Sequence, residues 1–225
     1  NAAAARVLDR LGISLIAVGD GCCGALAHHL SAEDQAREQM RGNIDAWWPE
    51  VEGGAEALVV AASGCGAMIQ EYGTLLRDEP AYAGKAARIS ELFRDISVVV
   101  SQELERPAVK LDLKAGRGAG PRVAFHSPCT LQHGLKIRGV VEPLLERAGC
   151  TLTSVADGHL CCGSAGSYSL LQPAISRQLK ANKIAALQAG APDVIATANI
   201  GCLMHLASGA ERPVRHWIEL LAEAV

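Results

Sequence analysis

The chain reads Gly21-Cys22-Cys23-Gly24 near its start and Leu160-Cys161-Cys162-Gly163 well past its middle. Each Cys-Cys-Gly turn is followed, at a matching distance, by a lone Gly-Cys: Gly64-Cys65 and Gly201-Cys202. Neighbouring cysteines bond to each other only in strained geometry. Two thiols on one turn, joined by a third from a distant segment, are what a soft metal or an iron–sulfur cluster needs.

Working outward, the two halves read as one duplicated unit. Leu8-Asp9-Arg10-Leu11-Gly12 aligns with Leu145-Glu146-Arg147-Ala148-Gly149, and Cys65 aligns with Cys202 at the same offset. That period exceeds any solenoid repeat, so it marks a duplicated half-domain. The second repeat has a further member, Cys129, whose counterpart would fall a few residues before Asn1. The chain therefore reads as a fragment opening inside its first repeat and lacking one ligand cysteine. The expected division is a first cysteine-rich repeat over 1–106, a linker over 107–122 and a second repeat over 123–225.

Composition narrows the classes. Hydrophobic residues make up 49% of the 225, but aromatics only 4%, so Ala, Val, Leu and Ile must fill the core. A net charge of −3, with no basic stripe, argues against nucleic acid. Eight cysteines in a long, Ala-rich chain fit reduced, metal-bound thiolates in a cytoplasm better than a secreted disulfide framework. No apolar run reaches the length of a membrane span.

Strand and helix signals alternate. Strands are expected over 13–18, 57–62, 123–126, 151–156 and 194–197. Helices are expected over 31–48 (with Ser31 as N-cap and Pro49 as terminator), from Gly66, over 84–105, over 140–148 and over 173–189. This alternation predicts an α/β fold of two pseudo-symmetric repeats. Each is a small, mostly parallel sheet covered by helices, with cysteines just past the C-terminal ends of strands, where such sheets place ligands. Glycines beside the cysteines (Gly21, Gly24, Gly64, Gly66, Gly163, Gly201) let backbone approach a bulky group, and their amides can bond to sulfur.

Cys129, Cys161, Cys162 and Cys202 are the candidate ligands of one site, and Cys22, Cys23 and Cys65 of another. His205, one helical turn after Cys202, is a candidate extra ligand, against a plain surface histidine. His126 is a candidate neighbour of the site. His28, His29, His133 and His159 read as structural, Ser127 as a turn residue, and Cys150 as a buried small hydrophobe. No phosphate loop, Ser–His–Asp pattern or carboxylate pair is present, so no catalytic residue is assigned.

The duplicated unit resembles the cysteine-rich (CCG) domain of heterodisulfide reductase B subunits and related iron–sulfur oxidoreductases. The wording CTLQHGLKIRG (129–139), HLCCGSAGSYSLLQP (159–173), TANIGCLMHLASG (197–209) and VRHWIELL (214–221) is similar to the C-terminal half of bacterial glycolate oxidase iron–sulfur subunits. That resemblance implies a preceding ferredoxin-like region with [4Fe–4S] clusters, FAD-containing partner subunits that oxidise glycolate, and electron flow toward membrane quinone. It also implies peripheral attachment on the cytoplasmic face. The reductases end each repeat in Cys-x-x-Cys; here the endings are Cys65-x-x-Met68 and Cys202-x-x-His205, so their non-cubane clusters are not carried over. Rival readings are a zinc-binding or metal-free docking scaffold, or a dithiol redox domain.

Overall fold

The computed structural model describes residues 2–19, 21–106 and 120–225. The linker expectation therefore falls almost wholly outside the described residues. The first half runs α1 (Ala2–Arg10), α2 (Ala25–His29), α3 (Glu33–Glu52), β1 (Leu58–Val60), α4 (Ser63–Gln70), α5 (Tyr72–Leu75), α6 (Ala83–Leu92), β2 (Phe93–Asp95) and α7 (Ile96–Glu105). The second runs β3 (Arg122–His126), a single π-turn (Thr130–Gly134), α8 (Val141–Arg147), β4 (Thr151–Leu152), α9 (Tyr168–Leu171), α10 (Pro173–Gln188), β5 (Val194–Thr197), α11 (Ile200–Ala207), β6 (Val214–His216) and α12 (Trp217–Glu223).

All described strand pairs are parallel. One sheet has the order β1-β2, the other β4-β3-β5-β6. The duplication survives in register: Val60 pairs with Asp95 as Thr197 pairs with His216. Both partner strands end on a helix cap. Asp95 Oδ1 accepts the Ser97 N–H at 2.8 Å, and His216 Nδ1 accepts the Ile218 N–H at 3.3 Å.

The two halves share one core. Val7 and Leu8 of α1 and Ile96 and Val100 of α7 pack with Val123, Leu144, Leu145, Trp217 and Leu221. Separate outer cores back the first half, around Met40, Ile44, Tyr72 and Ile89, and the second, around Ala124, Leu187, Ile195 and Leu206.

Several expectations need correction. Residues 13–18 form no strand: Leu15 and Ile16 are 48% and 54% exposed. Their equivalent, β4, pairs with β3, and the described residues of the first half hold no counterpart of β3. In its place lies a cleft of about 380 Å³ between residues 13–18 and β1, lined by Ile13, Leu15, Ile16, Ala57, Leu58 and Val59.

The helix expected over 84–105 is two helices separated by β2, and β6 was likewise not expected. Strands of three residues are too short to carry a period-2 pattern. Ser31 is not a cap; it sits at φ 59°, Ala32 precedes the helix, and Pro49 lies inside α3. Proline near the C-terminal end interrupts one hydrogen bond without stopping the last turn, and the helix runs on to Glu52, capped by Gly53. Only Thr151 and Leu152 of the expected 151–156 strand are paired. The helix expected from Gly66 begins at Ser63, so Cys65, like Cys202, lies in the first turn of a helix. Cys150 is buried in the shared core, as its reading as a hydrophobe expects.

Candidate metal centres

The second site gathers four thiols from three places. Cys129 follows β3, Cys161-Cys162-Gly163 lies on the turn after β4, and Cys202 opens α11. They lie close enough to perturb one another's ionisation in a chain: Cys129 with Cys161, Cys161 with Cys162, Cys162 with Cys202. Cys162 and Cys202 are 1% and 4% exposed, and Cys129 and Cys161 are half-buried.

Four adjacent sulfurs cannot all be anions in so small a space. Hydrogen bonds from Cys129 and Cys162 hold Cys161 well below the usual thiol range, and a bond from Cys162 lowers Cys202. Cys129 and Cys162 are pushed up, first by donating those bonds and then by burial. The shared protons keep the four sulfurs from ionising together. A metal would complete this arrangement by replacing the protons.

Second-layer groups aim at these sulfurs. The Gly163 N–H donates to Cys161 Sγ at 3.3 Å, and Asn199 Nδ2 lies 3.6 Å from Cys202 Sγ. Gly163 sits at φ 89°, and a Cβ there would collide with the Ser176 carbonyl oxygen, so glycine is required. Ser176 Oγ donates to the Gly163 carbonyl at 2.7 Å and fixes the turn from α10. Lys183, 3% exposed, donates to the Asp157 carbonyl at 2.8 Å, leaving a buried cation near Cys161 and Cys162.

The first site is built alike with different supports. Coupling to Cys65 lowers the Cys23 thiol and raises that of Cys65. Gly24 takes φ 87°, matching Gly163. Tyr72 Oη donates to the Cys23 carbonyl at 2.8 Å, and Asn43 Nδ2 donates to the Cys22 carbonyl at 2.9 Å. Trp47 stacks on Tyr72 with ring centroids 6.4 Å apart. Cys22 is exposed.

Of the candidate histidines, His205 turns its Nε2 to Ser176 Oγ at 3.4 Å, toward the prop of the Cys-Cys-Gly turn. His126 is 2% exposed, and neither ring nitrogen has a hydrogen-bond partner. One of its nitrogens, Cys162 Sγ and Cys202 Sγ all lie within 4.8 Å of one another. A buried polar group without a partner costs about 1–3 kcal/mol, so this ring fits a site whose last partner is a cation. The donor set, four thiols and an imidazole, suits zinc or iron and excludes calcium and magnesium, which need oxygen.

The sequence reasoning missed Lys183, Asn43 and Asn199. Lys183 was legible as the one charge in the buried stripe Ser176, Lys183, Leu187 of α10. Asn43 and Asn199 carry no comparable signal.

The parallel α/β halves and their paired sulfur nests define a class, and the family model for the cysteine-rich (CCG) domain matches residues 1–70 and 123–207. The chain belongs to that family. Among curated proteins it is 52% identical, over all of its length and 54% of the relative's, to the glycolate oxidase iron–sulfur subunit of Escherichia coli (strain K12). It is 30% identical, over all of its length and 51% of the relative's, to the probable glycolate oxidase iron–sulfur subunit of Bacillus subtilis (strain 168). It is 29% identical, over 91% of its length and 82% of the relative's, to lactate utilization protein A of Bacillus licheniformis. The chain spans about half the length of the first two relatives.

Proposed function

We propose that this chain is the electron-transfer part of a flavin-dependent glycolate oxidase, passing electrons from glycolate oxidation toward membrane quinone. The observation that carries this reading is the convergence of four thiols, Cys129, Cys161, Cys162 and Cys202, at strand ends and a helix start, in a chain 52% identical to a glycolate oxidase iron–sulfur subunit.

In this reading those cysteines hold one iron–sulfur cluster of the [4Fe–4S] kind. Cys22, Cys23 and Cys65 hold a second, or the remnant of one. A cluster would supply one-electron chemistry with little rearrangement. The residues around it set its potential: the Gly163 and Asn199 donors toward sulfur and the buried charge of Lys183 favour the more negative, reduced state. His205 acts beside the site through Ser176 and is the weaker ligand candidate.

The partners are FAD-containing subunits, where glycolate specificity resides, and a ferredoxin-like region of the same longer chain. The repeats over 1–106 and 123–225 are halves of one module and carry no catalysis alone. Among the described residues no helix is long and apolar enough to cross a membrane, so membrane contact would be peripheral and made through the complex on its cytoplasmic face.

Cys161→Ser in the assembled complex tests this. Quinone-linked glycolate oxidation should be lost while glycolate still reduces the flavin; retained quinone-linked turnover would contradict it.

A further inference from the structure

We infer that His126 is a metal ligand of the second site, binding a metal ion beside Cys162 and Cys202. The inference rests on the metal-binding reading above and sets a nitrogen donor in place of one of its four sulfurs.

Three observations carry it. First, His126 ends β3, and the strand pairing Phe125–Ala196 and His126–Thr197 fixes its backbone beside the α11 turn that carries Cys202. Second, its ring is buried yet both nitrogens lack partners. A histidine kept for structure would spend at least one nitrogen on a neighbouring carbonyl or hydroxyl. His216 does this in the same fold, through the Ile218 N–H and the Ala61 carbonyl. Third, the donor atoms of His126, Cys162 and Cys202 lie within 4.8 Å of one another. Atoms on one tetrahedral ion stand roughly 3.5–4 Å apart, given metal–ligand bonds of about 2.0–2.3 Å, so a small inward movement suffices.

One ring nitrogen lies within 4.8 Å of Cys202 Sγ, and neither nitrogen makes a hydrogen bond that meets ordinary geometry. His205 is the competing imidazole, and its Nε2 is turned to Ser176. The second site is therefore a mixed sulfur–nitrogen centre. Imidazole in place of thiolate removes one negative charge, and in iron–sulfur centres that exchange raises the potential. A ligand of this kind makes the second site the more oxidising of the two.

The test uses metal-free protein as the complete chain, labelled with ¹⁵N-histidine and loaded anaerobically with cobalt(II). Cys65→Ser silences the first site. Electron–nuclear double resonance should show a histidine nitrogen bound to cobalt in the Cys65→Ser protein. The signal should vanish in Cys65→Ser/His126→Ala, with cobalt held about 100-fold more weakly or worse. It should persist in Cys65→Ser/His205→Ala. His126→Cys in the same background should restore binding with more intense thiolate-to-cobalt absorption, which separates ligand loss from misfolding.

Cobalt bound by the cysteines with no coordinated nitrogen, or a nitrogen lost only in His205→Ala, would overturn the inference and leave the metal site standing. Cobalt uptake indifferent to Cys161→Ser and Cys162→Ser would overturn both.

Discussion

The Asn199 carboxamide joins the two cysteine sites: its Oδ1 accepts the Gly64 N–H at 3.3 Å, while Nδ2 points at Cys202 Sγ, 3.6 Å away. Gly64 immediately precedes Cys65, so one side chain touches the backbone of the first site and the sulfur of the second. A Cβ at Gly64 would come within 3.1 Å of Asn199 Oδ1, which keeps that position small. Beside this bridge, the Ser63 N–H donates to the Ala198 carbonyl at 3.1 Å, and Ser63 Oγ meets Thr130 Oγ1 at 2.8 Å.

Asn199→Ala is expected to lower the potential of the second site by tens of millivolts. Hydrogen bonds to sulfur favour the reduced, more negative state, and about 59 mV corresponds to 1.4 kcal/mol for one electron. Redox titration followed by EPR measures it; an unchanged potential would remove Asn199 from the tuning set.

Gly163→Ala should destabilise the protein by about 2 kcal/mol or more and empty the second site. It forces a left-handed alanine and a collision with the Ser176 carbonyl. Gly24→Ala should be milder, because its nearest obstacle, the Ala36 carbonyl oxygen, is 3.1 Å from the added Cβ. Chemical denaturation of both variants gives the order; the reverse order would contradict the packing account.

Metal affinity of the second site should rise with pH near neutrality. Cys129 and Cys162 are pushed up and protonated in the metal-free site, whereas Cys161 and Cys202 are held low. Binding then releases protons from the sulfurs that are held up, so affinity rises with pH. Calorimetry in buffers of different ionisation enthalpy counts the protons.

His216 should make stability fall in mild acid. Its Nδ1 accepts the Ile218 N–H, its Nε2 lies 2.9 Å from the Ala61 carbonyl, and burial lowers its pKa. A depressed folded-state pKa means stability is present above the unfolded value of about 6.5 and is lost as pH falls through the lower, folded one. His216→Gln should cost about 1–2 kcal/mol at neutral pH and flatten that slope. Thermal melts between mild acid and neutrality check it.

The cysteine nests were legible because their pattern repeats, and repetition needs no structure to see. The strands around Val123 and Val194 were legible because apolar runs between turn signals are local. β2 and β6 were not, since each is three residues defined by a partner strand distant in sequence. Residues 13–18 look like a strand, but a strand exists only when paired, and no described residue of the first half pairs with them. Spacing pointed to His205 over His126, because helical periodicity is readable and the convergence of β3 with α11 is not. Asn199 is invisible for the same reason: its importance lies in Gly64, in the other half.

The most direct test of the central claim is iron, acid-labile sulfide and zinc content, with EPR of the reduced form, on anaerobically purified protein and its Cys161→Ser variant. The account predicts iron and sulfide in equal amounts and a reducible signal from the second site that Cys161→Ser abolishes. Zinc in that site, or a signal indifferent to Cys161→Ser, would contradict it and make this module a scaffold.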